Sequence, residues 1–364
     1  MAERIQKDKK WQPPSIKNRQ INLLAELSQA CAVSGDENAV RQIVLQQIEG
    51  IVDELMIDPM GNILANKKGA GKNLPRVMLA AHMDEVGFML TQEESSGIFH
   101  FEIVGGIAES QLAGKSVWVG KQRLPGVIGT KPIHLTTAAE RKNSIKAKEL
   151  RIDIGPANKE KVKPGEWAAF ATEFTRTGPS LRGKAMDNRI GVATLISLLH
   201  HAPPNIDLLA AFTVQEEVGL RGARVAAYRM NPDMAIALDC TPAMDLPVWD
   251  GSENTEYRTR LDHGPAIYVA DGATLSDPRL VNHFKSVATA YDIPYQLRQP
   301  GGGGTDAGSI HKQRAGIPSL SISVPGRYLH TPAAIVRLQD WKNTTALVHA
   351  GLSHVNRQTL HKAR

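Results

Sequence analysis

FTVQEEVGLRG, residues 212–222, is the stretch on which the reading of this chain turns. The apolar run that leads into it, Leu208 to Val214, has the length of one strand buried on both faces, as in a parallel sheet. It stops at Gln215, and two acids, Glu216 and Glu217, follow at once. A helical pattern, Leu220–Met230, comes next. The two carboxylates repel each other, and they stand at the carboxyl edge of a sheet, where α/β proteins bind ligands. A bound cation, or a proton shared in catalysis, would offset that repulsion.

Outward from this stretch the same alternation holds. Ile190–His200 reads as a helix, Met234–Asp239 and Ile267–Ala270 as strands, Pro278–Tyr291 as a helix and Tyr295–Gln299 as a strand. Ala307–Gln313 is helical, Ser319–Val324 a strand and Leu338–Val355 an amphipathic helix. Upstream, helical spacing covers Asn18–Ala32 and Glu37–Ile51, the second after the cap candidates Ser34 and Asp36. Strands follow at Glu54–Ile57, Asn62–Asn66 and Val77–Ala81. The fold class is therefore α/β, with a mixed, largely parallel sheet sandwiched by helices. Residues 88–177 differ: short alternating runs broken by Gly and Pro spell a small inserted β-barrel-like domain. The expected division is a basic arm over 1–19, an α/β domain over 20–87 and 178–364, and the β insert between them.

At 364 residues the chain exceeds one ordinary hydrophobic core. A hydrophobic content of 42% and a charged content of 22% are those of a soluble globular protein. No apolar run is long enough to span a bilayer. The start, MAERIQKDKKWQPP, has no apolar core of a secretory signal. Two cysteines, Cys31 and Cys240, cannot build a disulfide framework, so a reducing cytoplasm is the expected compartment. Residues 1–19 hold six Lys or Arg against two Asp or Glu, which supplies most of the formal charge of +6. With Pro13-Pro14 in it, this segment reads as a solvated, partly disordered arm, and neither nucleic acid nor a membrane is the expected partner.

Each strand end carries chemistry. His82, Asp84 and Glu85 follow Val77–Ala81; Glu216 and Glu217 follow Ile206–Gln215; Asp239 follows Met234–Leu238. His330 stands after Ser319–Val324 and a short Pro-Gly loop, and Asp187 starts the helix after the insert. Any one of these alone reads better as a loop residue, a cap or a solvated turn. Together they form an N/O ligand set suited to zinc, cobalt or manganese. His82, Asp187, Glu217, Asp239 and His330 suffice for two divalent ions if one carboxylate bridges. One acid of the Glu pair would bind metal while the other faces the attacking water, and Asp84 could hold the His82 imidazole from behind. GGGGTDAG, 301–308, lacks the lysine of a phosphate loop. It reads instead as a close backbone approach to substrate through Gly303, Gly304 and Thr305, with Thr305 or Asp306 capping the next helix. Cys240 reads as core packing.

AAHMDEVGFML, KAMDNRIGV, FTVQEEVGLRGA, ALDCTPA, GGGGTDAGSIH and RYLHTP, in this order and spacing, resemble the dinuclear metallo-aminopeptidases of the glutamyl/deblocking type, whose archaeal members form tetrahedral particles. The resemblance spans about residues 20–355. It implies that His82 and His330 each bind one ion, that Asp187 bridges them, and that Glu217 and Asp239 complete one ion each. It implies Glu216 as general base, Asp84 as the orienting acid, short peptides as substrates, and dimerisation through the insert with a dodecamer as the larger assembly. Cys240 and Thr331 stand where the family often has Val and Ser, and the basic arm is longer than usual. Rival readings are a deacylase of N-acyl amino acids, a glycoside hydrolase, and an inactive metal-binding scaffold. Glycosidases need two carboxyls about 5–9.5 Å apart across a sugar bond, a poor match to adjacent, diverging Glu216 and Glu217.

Overall fold

A computed structural model describes residues 5–252 and 259–361. The helices are α1 (Asn18–Gln29), α2 (Asn38–Ile48), α3 (Met186–His200), α4 (Arg221–Met230), α5 (Pro278–Tyr291), α6 (Ala307–Ile310), α7 (Leu338–Ser353) and α8 (Gln358–His361). The main sheet takes β1 (Glu54–Ile57), β2 (Ile63–Lys67) and β3 (Arg76–His82) before the insert. The insert is built of β4 (Gly87–Ser95), β5 (Ile98–Val104), β6 (Ser116–Val119), β7 (Leu124–Gly129), β8 (Arg151–Asp153) and β9 (Trp167–Phe170). The sheet then resumes with β10 (Thr175–Thr177), β11 (Ser180–Gly183), β12 (Asp207–Thr213), β13 (Met234–Pro242), β14 (Ala266–Tyr268), β15 (Gln296–Arg298), β16 (Ser319–Arg327) and β17 (Ala334–Arg337).

The sheet order is β1-β2-β12-β3-β13-β16-β17-β11-β10, with β14 and β15 beside β16. Its centre, β12-β3-β13-β16, is parallel, and antiparallel strands flank it. Both faces of these central strands are buried, which is why their sequences are continuous apolar runs. Val77, Leu79 and Ala81 pack with Leu208, Ala210 and Phe212 under α1, α2, α3, α5 and α7. The alternate residues, Met78, Ala80, Leu209 and Ala211, pack under α4 and α6 with Ala223, Ala226, Ala227 and Ile310.

The insert closes into a barrel in the order β4-β5-β8-β7-β6-β9. Its separate core is built around Phe88, whose ring meets Phe101 at 5.2 Å and Phe170 at 5.3 Å, both edge-on. The polar stretch 134–150 holds only short 3-10 turns. Three readings change. Thr175–Thr177, placed at the end of the insert, pairs with β11 and belongs to the main sheet. Pro325 and Gly326, read as a loop, lie within β16 and pair with Thr241 and Pro242 of β13, because burial and a parallel neighbour override their turn chemistry. Finally, the arm from Ile5 onward is docked, with Pro14 and Ile16 buried and Trp11 packed on the domain.

Candidate metal centre and active site

Parallel register brings the strand ends together. Thr213, the last residue of β12, lies opposite His82, the last of β3. β12 thus ends before the acids, and Gln215, at φ 55°, turns the chain sharply. Glu216 and Glu217 are turn residues, not strand neighbours, and this turn aims them at different partners. Glu216 Oε2 lies 3.9 Å from His82 Nε2, and Glu217 Oε1 lies 3.4 Å from His330 Nε2.

Asp187 stands between the histidines. Its Oδ1 is 3.2 Å from His82 Nε2 and its Oδ2 is 3.5 Å from His330 Nε2. Asp239 Oδ1 is 3.7 Å from His82 Nε2. Two ligands each about 2.1 Å from a tetrahedral ion are about 3.4 Å apart, so these separations match donors gathered around cations. His82, Asp187 and Glu217 form one group whose ligand atoms lie within 4.8 Å of one another, and His82, Glu216 and Asp239 form a second. The imidazoles are prepared in the same sense. His330 Nδ1 donates to the Gly106 carbonyl at 2.8 Å. His82 Nδ1 faces the Asp84 carbonyl oxygen at 3.2 Å and its Oδ1 at 3.4 Å. In both rings this leaves the Nε2 lone pair for a metal. A side chain at Gly106 would press on His330, its Cβ meeting Nδ1 at 3.2 Å.

The electrostatics fit the same donor set. Burial, then Asp187 and Asp84, push Glu217 up to about 8 against the pull of His330. Burial and Asp187 push Asp239 up to about 7. Burial raises Glu216 well above the carboxylate range, with Asp239, Glu217 and Asp306 adding to it. Asp187 is held below that range in spite of burial, because His330 and His82 both face it. Burial opposes protonation of His330, yet Asp187 and Glu217 lift it to about 10. Four crowded carboxylates cannot all ionise beside each other without added positive charge, and divalent cations would supply it.

Around the ligands a second set of bonds fixes the turn. Asp84 Oδ1 accepts the Glu216 N–H and its Oδ2 the Glu217 N–H, both at 3.1 Å. One buried carboxylate therefore backs His82 and also clamps the Glu-Glu turn. Ser34, read as a cap candidate, donates to Asp84 Oδ2 at 2.5 Å. Glu37 accepts the Gln215 N–H at 3.2 Å. Helix α2 starts without a side-chain cap, because the polar groups of this loop are committed to the site. Glu85 does not join the ligands: it is buried against Lys184 at 2.5 Å and Arg189 at 3.2 Å.

A cleft of about 760 Å³ opens over the constellation. Gly303 and Gly304 line it; Thr305 does not, being buried behind them in a hydrogen bond with Ser321 at 2.6 Å. Neither Thr305 nor Asp306 caps α6 with its side chain. Asp306 instead accepts the Thr213 hydroxyl at 2.5 Å. Cys240 packs in the core and touches the cleft edge. Among the lining residues that escaped the sequence reading are Tyr268 and Arg298. The Arg298 guanidinium stacks 4.4 Å from the Tyr268 ring and donates to the carbonyls of Ala270 and Gly302. Nothing in a three-residue strand signals an arginine turned into a cleft.

A family model, M42 glutamyl aminopeptidase, matches residues 61–347. The chain belongs to that family. The glutamyl aminopeptidase of Lactococcus lactis is 30% identical, over 91% of this chain and 95% of that one. Among solved structures, an aminopeptidase of the archaeon Desulfurococcus kamchatkensis superposes with a TM-score of 0.87 at 34% identity, covering 94% of this chain and 96% of that one. The Pyrococcus horikoshii TET1 peptidase, which can assemble into a tetrahedron or a large octahedral shell, gives 0.82 at 29% identity over 92% and 100%. The chain is thus a member of an aminopeptidase family with an M42-type fold. Among the described residues no helix is long and apolar enough to cross a membrane.

Proposed function

We propose that this protein is a dinuclear metal-dependent aminopeptidase that removes N-terminal residues from short peptides. The observation that carries the reading is Asp187, which turns one carboxylate oxygen to each histidine, as a bridging ligand must. His82, Asp187 and Asp239 would hold one divalent cation, and His330, Asp187 and Glu217 the other, zinc or cobalt in the first instance. When bound, the ions supply Lewis-acid polarisation of the scissile carbonyl and bring the attacking water into its reactive range.

The chain's own residues do the rest. Glu216 accepts the proton of the attacking water and passes it to the leaving amine. Asp84 holds both the His82 ring and the backbone of the Glu216–Glu217 turn, so the base and the ligands keep one geometry. Gly303 and Gly304 let the peptide backbone come close to the cleft wall. The Arg298 guanidinium in that wall favours a substrate whose first side chain is acidic over one that is basic. The barrel is the proposed dimer contact: Val127, Ile133 and Leu135 are exposed on it. Such dimers would build a larger closed particle in a cytoplasmic setting.

The test is hydrolysis of amino-acyl anilides before and after chelation, with zinc, cobalt or manganese restored. Release should vanish with chelation, return with metal, fail on N-blocked substrates, and rank glutamyl above lysyl anilide. Cleavage of N-acylated substrates in place of free amines would replace this reading with the deacylase.

A further inference from the structure

We propose that the segment 5–17 is a pH-gated strap, docked on α5 and α7 while His349 is neutral and released when that imidazole takes a second proton. This goes beyond the aminopeptidase reading and does not depend on it.

The argument is one of donors and acceptors. Trp11 Nε1–H, which can only donate, gives its hydrogen bond to His349 Nδ1 at 2.9 Å. The other ring nitrogen, Nε2, faces the His201 carbonyl oxygen at 3.0 Å, an acceptor only. These two partners fix the neutral tautomer with its proton on Nε2. A second proton must go on Nδ1, where it points at the indole N–H, and the contact turns from a hydrogen bond into two opposed donors.

Among the described residues no other contact of the strap meets this conflict. Trp11 packs edge-on against Tyr291 of α5, with centroids 4.6 Å apart. The Asp8 N–H donates to the Tyr291 hydroxyl at 3.1 Å, and that hydroxyl lies 2.7 Å from His354 Nε2. If His354 is protonated, the tyrosine oxygen simply accepts from it as well, so this pair tolerates acid. Lys7 pairs with Asp292 at 3.1 Å in an exposed bridge worth little. Among the described residues, the titratable and charged groups at His349 and along the strap contacts beside it are His201 at the end of α3, His354 just past α7, Asp292 just past α5, and Lys7 and Asp8 of the strap. Burial, with the neighbouring His201, holds His349 below the ordinary histidine range against its bond to the His201 carbonyl. The docked state is accordingly complete at neutral pH and is lost as pH falls through a midpoint under about 6.5.

The test uses the full chain labelled with 5-fluorotryptophan, its five resonances assigned by single Trp→Phe variants and read by fluorine NMR with the neutral nitroxide TEMPOL as solvent probe. The Trp11 resonance should be protected at pH 7.5 and broadened at pH 5, while Trp341, fully buried and bonded to Thr194, stays protected. In His349→Asn, whose amide oxygen still accepts but does not titrate, Trp11 should stay protected at both pH values. A Trp11 resonance protected to pH 5 in the unaltered chain overturns the proposal. So does broadening along the same curve in His349→Asn, or together with Trp341.

Discussion

At the scale of single residues, the proposed chemistry rests on Asp187 and Glu216. Asp187 offers an oxygen to each histidine, whereas Glu216 sits 3.9 Å from His82 Nε2, farther than Asp187 or Asp239. Glu216→Gln keeps the volume and the turn but removes the proton acceptor. Its kcat should fall by two to four orders of magnitude, roughly the contribution of one general base, while metal content by elemental analysis stays at the unaltered level. Near-normal turnover would move the base elsewhere. Adjacent acids after an apolar strand were enough to flag this position from sequence. Which of the two faces a histidine more closely was not legible, because the turn at Gln215 sets it.

At the scale of elements, the ends of α1 and α3 show how the site edge is supported. Helix α1 stops at Gln29, three residues before the helical pattern runs out. Lys184 donates to the Ala30 carbonyl at 2.8 Å, and Arg189 donates to the carbonyls of Leu27 at 2.6 Å and Ala32 at 3.3 Å. Two buried cations thus satisfy the carbonyls of the helix end, an arrangement the helix dipole favours. Glu85 neutralises both from the segment that follows β3, three residues after the proposed ligand His82. Breaking such a buried set costs on the order of 3–5 kcal/mol. Glu85→Gln, which strands two buried cations, should lose more stability in urea unfolding than Lys184→Met, which leaves Glu85 paired with Arg189. An equal or reversed ranking would show that Glu85 does not hold the set together.

Across the whole molecule, the proposed ligands come from β3, the start of α3, the turn after β12, β13 and the segment after β16. Two cations that share Asp187 would together tie the carboxyl edge of the sheet. Metal should therefore raise the melting temperature, by an increment worth about 2.7 kcal/mol at a hundredfold excess over Kd. The sign with pH follows from the protons displaced. His330 near 10, Glu217 near 8 and Asp239 near 7 all hold protons more firmly in the metal-free protein than ordinary groups do. Metal must expel those protons, so the increment should shrink as pH falls from 8 to 6 in differential scanning calorimetry. An increment independent of pH would argue against these ligands.

What the amino-acid sequence determined by itself is the layered α/β plan, the β insert and the residue types at the strand ends. Burial on both faces writes a strand as an apolar run, and a chemical group that ends such a run must stand at the sheet edge. The tertiary structure alone decided the rest. It turned one Asp187 oxygen to each histidine, joined Ser34, Glu37 and Asp84 to the Glu-Glu turn, paired Glu85 with Lys184 and Arg189 and buried Thr305 behind the glycines. It also turned Arg298 into the cleft and laid the basic arm down on α5 and α7. These are contacts between residues far apart in the chain, set by parallel register and by left-handed turns, and no local pattern of residues carries that information.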